Sequence, residues 1–172
     1  MLEVQKENPM REILLDKIVI NLGIGESGEK LQRAEKMLSA LVSQKPATTI
    51  AKKTIKNFGI RKKETIGLKV TLRGEKAMEF LKRALQVKEM KLSKKSINAG
   101  NLSFGIAEHI DLPGVEYDPD IGVFGMDVCV SLRRRGYRVS DRRIKNSKVG
   151  SSHRITKEET IRWLESLGVV VE

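Results

Sequence analysis

The chain has 172 residues, with 33 Lys and Arg against 22 Asp and Glu, for a formal net charge of +11. That length suits one domain with an appendage, and an apolar content of 40% is enough for one core. A single cysteine, Cys129, excludes an intramolecular disulfide framework; no stretch approaches the roughly 18 apolar residues of a membrane span, and MLEVQKENPMREILL at the N-terminus has no signal-like apolar run, so a soluble, intracellular protein is expected.

Lys17 to Ile24 alternates. Ile18, Ile20, Leu22 and Ile24 share one side and Val19, Asn21 and Gly23 the other, the pattern of a strand with one buried face. Ser27 is a candidate N-cap; beyond it Leu31, Ala34, Leu38, Leu41 and Val42 recur at helical spacing, which predicts an amphipathic helix over about 28–43. Gln44-Lys45-Pro46 ends it, because the residue before a proline avoids helical geometry. The Thr- and Ile-rich segment 47–51 reads as a short strand. From Lys52 to Thr65 no period holds and charge dominates; the stretch exceeds a tight hairpin turn and reads as a long, mobile, basic loop. Ile66, Leu68, Val70 and Leu72 alternate against Gly67, Lys69, Thr71 and Arg73 as a second clear strand. A helix from Gly74 to about Val87 carries Ala77, Phe80, Leu81, Ala84 and Leu85 on one stripe.

Segment 88–100 is polar and reads as irregular, after which Leu102, Phe104 and Ile106 alternate as a third strand. Segment 111–122, with two prolines, four acids and two glycines, reads as a loop with turns. Phe124, Met126, Val128, Val130 and Leu132 form the last long strand. A basic tail with little apolar content runs on to His153, and TKEE (156–159) fits a capping box before a short helix with Ile161, Leu164 and Leu167 on one face and Gly168 past its end. No internal repeat is visible. The order strand, helix, strand, strand, helix, strand, strand, with alternating strands, predicts an α+β fold: an antiparallel sheet with helices on one face and an open polar face. The expected division is an α+β domain over 1–132, carrying the loop 52–65, and a basic extension over 133–172 with the short terminal helix.

Charge is concentrated. Lys45–Lys63 holds seven basic residues and no acid, and Arg133–Arg154 holds nine with one acid, Asp141. They contribute +7 and +8, so the rest of the chain sums to −4. A surplus serving solubility is interspersed with acids; two clusters on a near-neutral body mark contact surfaces for a polyanion, most often nucleic acid. Repulsion among Lys52, Lys53, Lys56, Arg61, Lys62 and Lys63 gives their loop no reason to fold alone, and a polyanionic partner supplies one. Phe58 and Gly59 suit a tip that packs on a sugar or base. The open face carries Lys17, Asn21, Lys69, Thr71 and Arg73, donors and hydroxyls suited to phosphate and 2′-OH contacts, although plain solvent-facing decoration is the ordinary alternative. With four Phe, two Tyr and one Trp, stacking on an aromatic platform is not the expected binding mode.

Other motifs have ordinary explanations. GIGESG (23–28) fits G-x-G-x-x-G between a strand and a helix, the setting of a dinucleotide-binding turn. The next strand, however, is followed by Lys52 and Lys53 instead of an acid for the ribose, and a parallel sheet needs near-continuous apolar strands. A tight strand-to-helix turn, or amides that hold an RNA phosphate, accounts for the glycines. His109 beside Glu108 and Asp111 reads as solvated. Asp118 and Asp120 around Pro119 read as a turn in preference to a magnesium pair. Cys129 reads as buried and inert, and no Cys/His spacing suggests zinc. No catalytic residue, metal or cofactor is expected.

The segments KIVINLGIGES (17–27), SQKPATTIAKKTIKNFGIRKKETIGLKVTLRG (43–74) and GVFGMDVCVSL (122–132) closely resemble large-subunit ribosomal protein five, a universal family that binds 5S ribosomal RNA. The tail RRRGYRVSDRRIKNSKVGSSHRITKEETIRWL (133–164) resembles its archaeal and eukaryotic branch, called large-subunit protein eleven in eukaryotes; the bacterial branch lacks this tail. The resemblance runs from about Ile13 to Leu164, and the lysine-rich composition points to an archaeal source. It implies a non-enzymatic, ribosome-bound cytoplasmic protein, a monomer within the large subunit that helps attach 5S RNA to the larger rRNA in the central protuberance. The family's RNA-contacting polar residues correspond to Asn21, Gln44 and Thr71, joined in the expected 5S set by Lys45, Lys69 and Arg73. The loop Lys52–Lys63 is implied to reach peptidyl-site tRNA. Arg133, Arg134, Arg135, Arg138, Arg142 and Arg143 are expected to anchor the tail on rRNA, and a bridge to small-subunit protein thirteen is implied without assigned residues. The rival readings are a non-specific RNA chaperone and an NAD(P)-linked enzyme that uses Gly23–Gly28.

Overall fold

The computed structural model describes residues 8–115, 118–119 and 122–172. Alternation decides the architecture. Ile18, Ile20 and Leu22 of β1 (Ile13–Gly23) are fully buried, as are Leu68, Val70 and Leu72 of β3 (Thr65–Leu72). Val128, Val130 and Leu132 of β7 (Met126–Arg134) and Leu102 and Ile106 of β6 (Asn101–Ile106) continue that layer. With β2 (Ala47–Ile50) and β5 (Ile97–Asn98) these strands form one six-stranded sheet, in the order β2-β3-β1-β7-β6-β5, every pairing antiparallel. The pairs Ile20↔Val70 and Ile20↔Val128 keep the apolar residues in line across the three central strands.

Helices α1 (Glu29–Val42) and α2 (Glu75–Val87) cover the apolar side. Leu31, Ala34, Met37, Leu38 and Val42 of α1, and Ala77, Phe80, Leu81, Ala84 and Leu85 of α2, are the buried stripes, four or three residues apart as an amphipathic helix requires. The antiparallel α+β fold expected from the sequence is therefore present. One local expectation is corrected: Ser27 does not cap α1. Gly28 occupies that position without a side-chain bond, and the Ser27 hydroxyl donates instead to Glu64 Oε1 at 2.7 Å.

The stretch 88–100 is more ordered than its polarity suggests. It contains β4 (Lys91–Leu92), a 3-10 turn at Lys94–Ser96 and β5, and Ile97 is fully buried. β4 pairs in parallel with β8 (Val170–Val171), so the end of the chain returns to the sheet domain. Between them lie α3 (Arg138–Asp141) and α4 (Lys157–Ser166). The capping box at α4 is complete: Thr156 Oγ1 accepts the Glu159 N–H at 3.3 Å, and Glu159 Oε2 accepts the Thr156 N–H at 3.0 Å. Gly168, at φ 86°, turns the chain out of α4 toward β8. Thr160, fully buried, accepts the Gly100 N–H at 3.0 Å and ties α4 to the β5–β6 hairpin.

Candidate nucleic-acid interface

The helices occupy one side of the sheet, and among the described residues the other is uncovered. Register places its residues in rows: Ala47, Lys69, Asn21, Asp127 and Gly105 run across five strands, and Thr71, Val19, Cys129 and Ser103 form the next row. Lys69 and Asn21 are exposed and Thr71 is half-buried. Gln44, in the turn after α1, donates from Nε2 to the Thr71 carbonyl at 3.3 Å. Asn21, Gln44, Lys69 and Thr71, expected to act together, are thus one neighbourhood on one surface. Lys45 is exposed beside Gln44. Cys129 is exposed on this face, which corrects its reading as buried; it alternates out of phase with Val128 and Val130. The face also carries the exposed Asp127, so it is less purely donating than expected.

The cationic arms leave the sheet at opposite ends. Residues 51–64 join β2 to β3 at the end where Gly23 pairs with Gly67, and the tail leaves β7 at the end where Arg134 pairs with Ile13. The basic loop carries hydrogen bonds of its own. Ala51 and Glu64 bond at its base, where the Ala51 N–H donates to the Glu64 carbonyl at 2.8 Å. Ile55 and Ile60 exchange bonds at 2.9 and 3.2 Å around the 3-10 turn Lys56–Phe58, and Gly59 takes φ 67°. Glu64 fastens the base: Oε2 accepts the Arg61 N–H and Oε1 the Ser27 hydroxyl, each at 2.7 Å. These two bonds, that of the Arg61 amide first, lower the Glu64 pKa below its ordinary value. All six loop cations are exposed, and among the described residues none forms an ion pair. Phe58, at the tip, is 73% exposed.

In the tail, Arg138, Arg142 and Arg143 are exposed, as expected, and Arg142 Nε donates to the Lys145 carbonyl at 2.8 Å. Arg135 is exposed and reaches Glu12 at 3.5 Å. The placement of Arg134 among RNA anchors is corrected. Its side chain is 7% exposed, bonds Glu159 Oε1 at 2.7 Å and reaches the His153 carbonyl at 3.4 Å. It continues the inward phase of Val130 and Leu132, so alternation already contained the signal. Arg133, out of phase, is exposed and bonds Asp16 Oδ1 at 3.1 Å. Arg73 Nη1 reaches that same oxygen at 3.1 Å.

Ile24 and Gly25 donate their N–H groups to the Ile66 carbonyl at 3.1 and 2.9 Å, so the start of GIGESG closes a strand-to-helix turn beside an antiparallel sheet. His109 is buried, not solvated: it is 2% exposed, and its Nδ1 accepts the Phe124 N–H at 3.3 Å. Desolvation is the main cause of its lowered pKa. Asp120, half of the magnesium alternative, lies outside the described residues, and among the described residues no group of three or more His, Cys, Asp or Glu could hold a metal.

Two family models match the sequence, "Ribosomal protein L5" over residues 8–61 and the C-terminal region of the same ribosomal family over residues 65–163. Their boundary falls in the basic loop, yet β1 from the first and β3 and β7 from the second share one sheet. The chain is 71% identical over 166 residues to large ribosomal subunit protein uL5 of Archaeoglobus fulgidus, covering 96% of this chain and 93% of the relative. It is 48% identical to uL5 of Sulfolobus acidocaldarius over the same shares, and 50% identical to uL5 of Pyrobaculum aerophilum over 97% and 94%.

Proposed function

This chain belongs to the ribosomal protein L5 family, structural and non-enzymatic proteins of the large ribosomal subunit, and from that premise we propose that its uncovered sheet face binds 5S rRNA. The observation that carries the reading is the convergence of Asn21, Lys69 and Thr71 with the Gln44 turn on a surface that the protein's own helices leave free. A rigid sheet fixes the spacing of these polar groups, so they supply register, and the cations of the two arms supply affinity through phosphate neutralisation. The loop Lys52–Lys63, with unpaired charge and an exposed Phe58, meets peptidyl-site tRNA or helical rRNA. The exposed tail arginines hold the larger rRNA, and the protein so positioned attaches 5S RNA in the central protuberance. A bridge to small-subunit protein thirteen and a ribosome-bound, cytoplasmic location complete the reading; both rest on the family resemblance.

The test is a competition titration. The chain should bind 5S rRNA in preference to unrelated structured RNA, with an affinity that falls steeply with salt. With roughly eight phosphate contacts the log–log slope is on the order of −6 to −7. Asn21→Ala or Thr71→Ala should weaken this binding more than removal of loop charge does. Equal affinity for unrelated RNA would make the protein a non-specific chaperone, and a flat salt response would remove the phosphate model.

A further inference from the structure

Strands β1 and β7 pair without a break except at one point. Leu15 faces Leu132 and Lys17 faces Ser131, so Asp16 is an extra residue with no partner on β7. Such a bulge bends the strand and re-aims a side chain. Here it keeps Leu15 opposite the inward Leu132 and still sets Lys17 opposite Ser131 on the open face. The Asp16 side chain, 12% exposed, then lies between two arginines from neighbouring strands, Arg73 just after β3 and Arg133 in β7. One oxygen, Oδ1, accepts a hydrogen bond from Arg73 Nη1 at 3.1 Å and pairs with Arg133 Nε at an N···O distance of 3.1 Å.

Each guanidinium is held at one nitrogen only by this carboxylate, Arg73 through Nη1 and Arg133 through Nε. Among the described residues the Nε and Nη2 donors of Arg73 stay available, the edge that grips a phosphate with two parallel bonds. Arg133 keeps Nη2, while its Nη1 lies 3.6 Å from Asp141. One largely shielded carboxylate therefore holds two half-exposed cations without using up their donors. The site adjoins a depression of about 480 Å³ between the sheet and the tail, lined by Ser131, Asn101, Lys148 and Arg154 as well as by Asp16 and Arg133. Lys148 and Arg154 add positive charge to its wall, and Asp141 sets a second acid beside Arg133.

We propose that Asp16 is a positioning residue that holds Arg73 and Arg133 as a clamp for one RNA phosphodiester, at the junction of the sheet face and the tail. The proposal rests on the RNA-binding reading above and names a phosphate site within it. Its consequence runs against net charge. Removing an acid from an RNA-facing surface ordinarily tightens binding, whereas removing this one frees two long side chains to disorder and weakens it.

The experiment titrates the full chain with archaeal 5S rRNA transcript and, in a second arm, with large-subunit rRNA, across a salt series. Asp16→Asn should lower affinity about five- to tenfold, and loss of this one phosphate contact should make the log–log slope shallower by about 1. Arg73→Lys, which keeps the charge but loses the forked edge, should weaken binding comparably, with both variants retaining the wild-type melting temperature. An effect confined to one arm assigns the phosphate to that RNA. Asp16→Asn that binds as well as or better than wild type with an unchanged slope overturns the clamp, and so does full affinity in Arg73→Lys. Failure of the wild type itself to prefer 5S rRNA would instead overturn the underlying reading.

Discussion

The basic loop and the basic tail have nearly the same charge, +7 over Lys45–Lys63 and +8 over Arg133–Arg154, yet the fold uses them differently. In the tail, Arg133 bonds Asp16, Arg134 bonds Glu159 and Arg135 approaches Glu12. In the loop no cation forms an ion pair among the described residues; Glu64 feels the Arg61 charge, but its oxygens bond a hydroxyl and a main-chain N–H. The loop therefore leaves most of its charge to an external polyanion. The tail spends part of its charge on docking itself, and what remains is oriented by that docking. Net charge, the quantity a sequence yields most readily, does not separate these roles.

Breaking the tail's clasp gives the largest effect on stability. Arg134→Met removes one partner of a pair in which the arginine is buried and Glu159 is 32% exposed. Loss of a fully buried partner costs about 3–5 kcal/mol, and the exposure of Glu159 reduces this to about 2–4 kcal/mol, read by denaturant or thermal unfolding. A change under about 0.5 kcal/mol would place Arg134 with ordinary surface charges. Next comes Thr156→Ala, which takes the side-chain half of the capping box from α4 and should cost about 1 kcal/mol.

The contrasting variant replaces Lys52, Lys53, Lys56, Arg61, Lys62 and Lys63 with Gln. Because these side chains are exposed and make no ion pair among the described residues, stability should shift by no more than about 0.5 kcal/mol. The salt dependence of tRNA or helical rRNA binding should fall at the same time. A stability loss as large as that of Arg134→Met would erase the distinction between the arms.

How far this was legible in the sequence depends on whether a feature leaves a period. Ile18, Ile20 and Leu22 alternate, Ala77, Phe80, Leu81 and Ala84 follow a helical stripe, and TKEE spells a capping box, so the sheet, both long helices and the start of α4 could be placed. Two-residue strands have no period: β4 and β8 exist because Lys91 meets Val170 across almost half of the chain, which no local pattern encodes. Arg134 and Cys129 are a different kind of miss. Both obey the β7 alternation, and their usual residue-type preferences outweighed a phase that was already present. Asp16 left no trace, because a bulge is the point at which alternation fails.

The smallest effect distinguishes the two arms by acid. Each is fastened by one glutamate that accepts a backbone N–H, Glu64 from Arg61 and Glu159 from Thr156, and in each that bond is the main cause of a lowered pKa. A carboxylate whose folded pKa lies below its unfolded value stabilises the fold fully above the unfolded value, and the contribution disappears as pH falls through the folded one. Both fastenings should therefore hold at neutral pH and weaken only below the ordinary carboxylate range. Their reach differs. Glu159 also bonds the buried Arg134, so its protonation should lower global stability, and Glu159→Gln should flatten the acid limb of the melting curve. Among the described residues Glu64 bonds the loop base and Ser27, so its protonation should speed amide exchange at Arg61 while the melting temperature stays unchanged. If acid instead melted the loop and the tail together, with Arg61 exchange tracking global unfolding, the loop would be part of the same cooperative unit as the clasp, and the contrast between free and committed charge would rest on ion pairing alone.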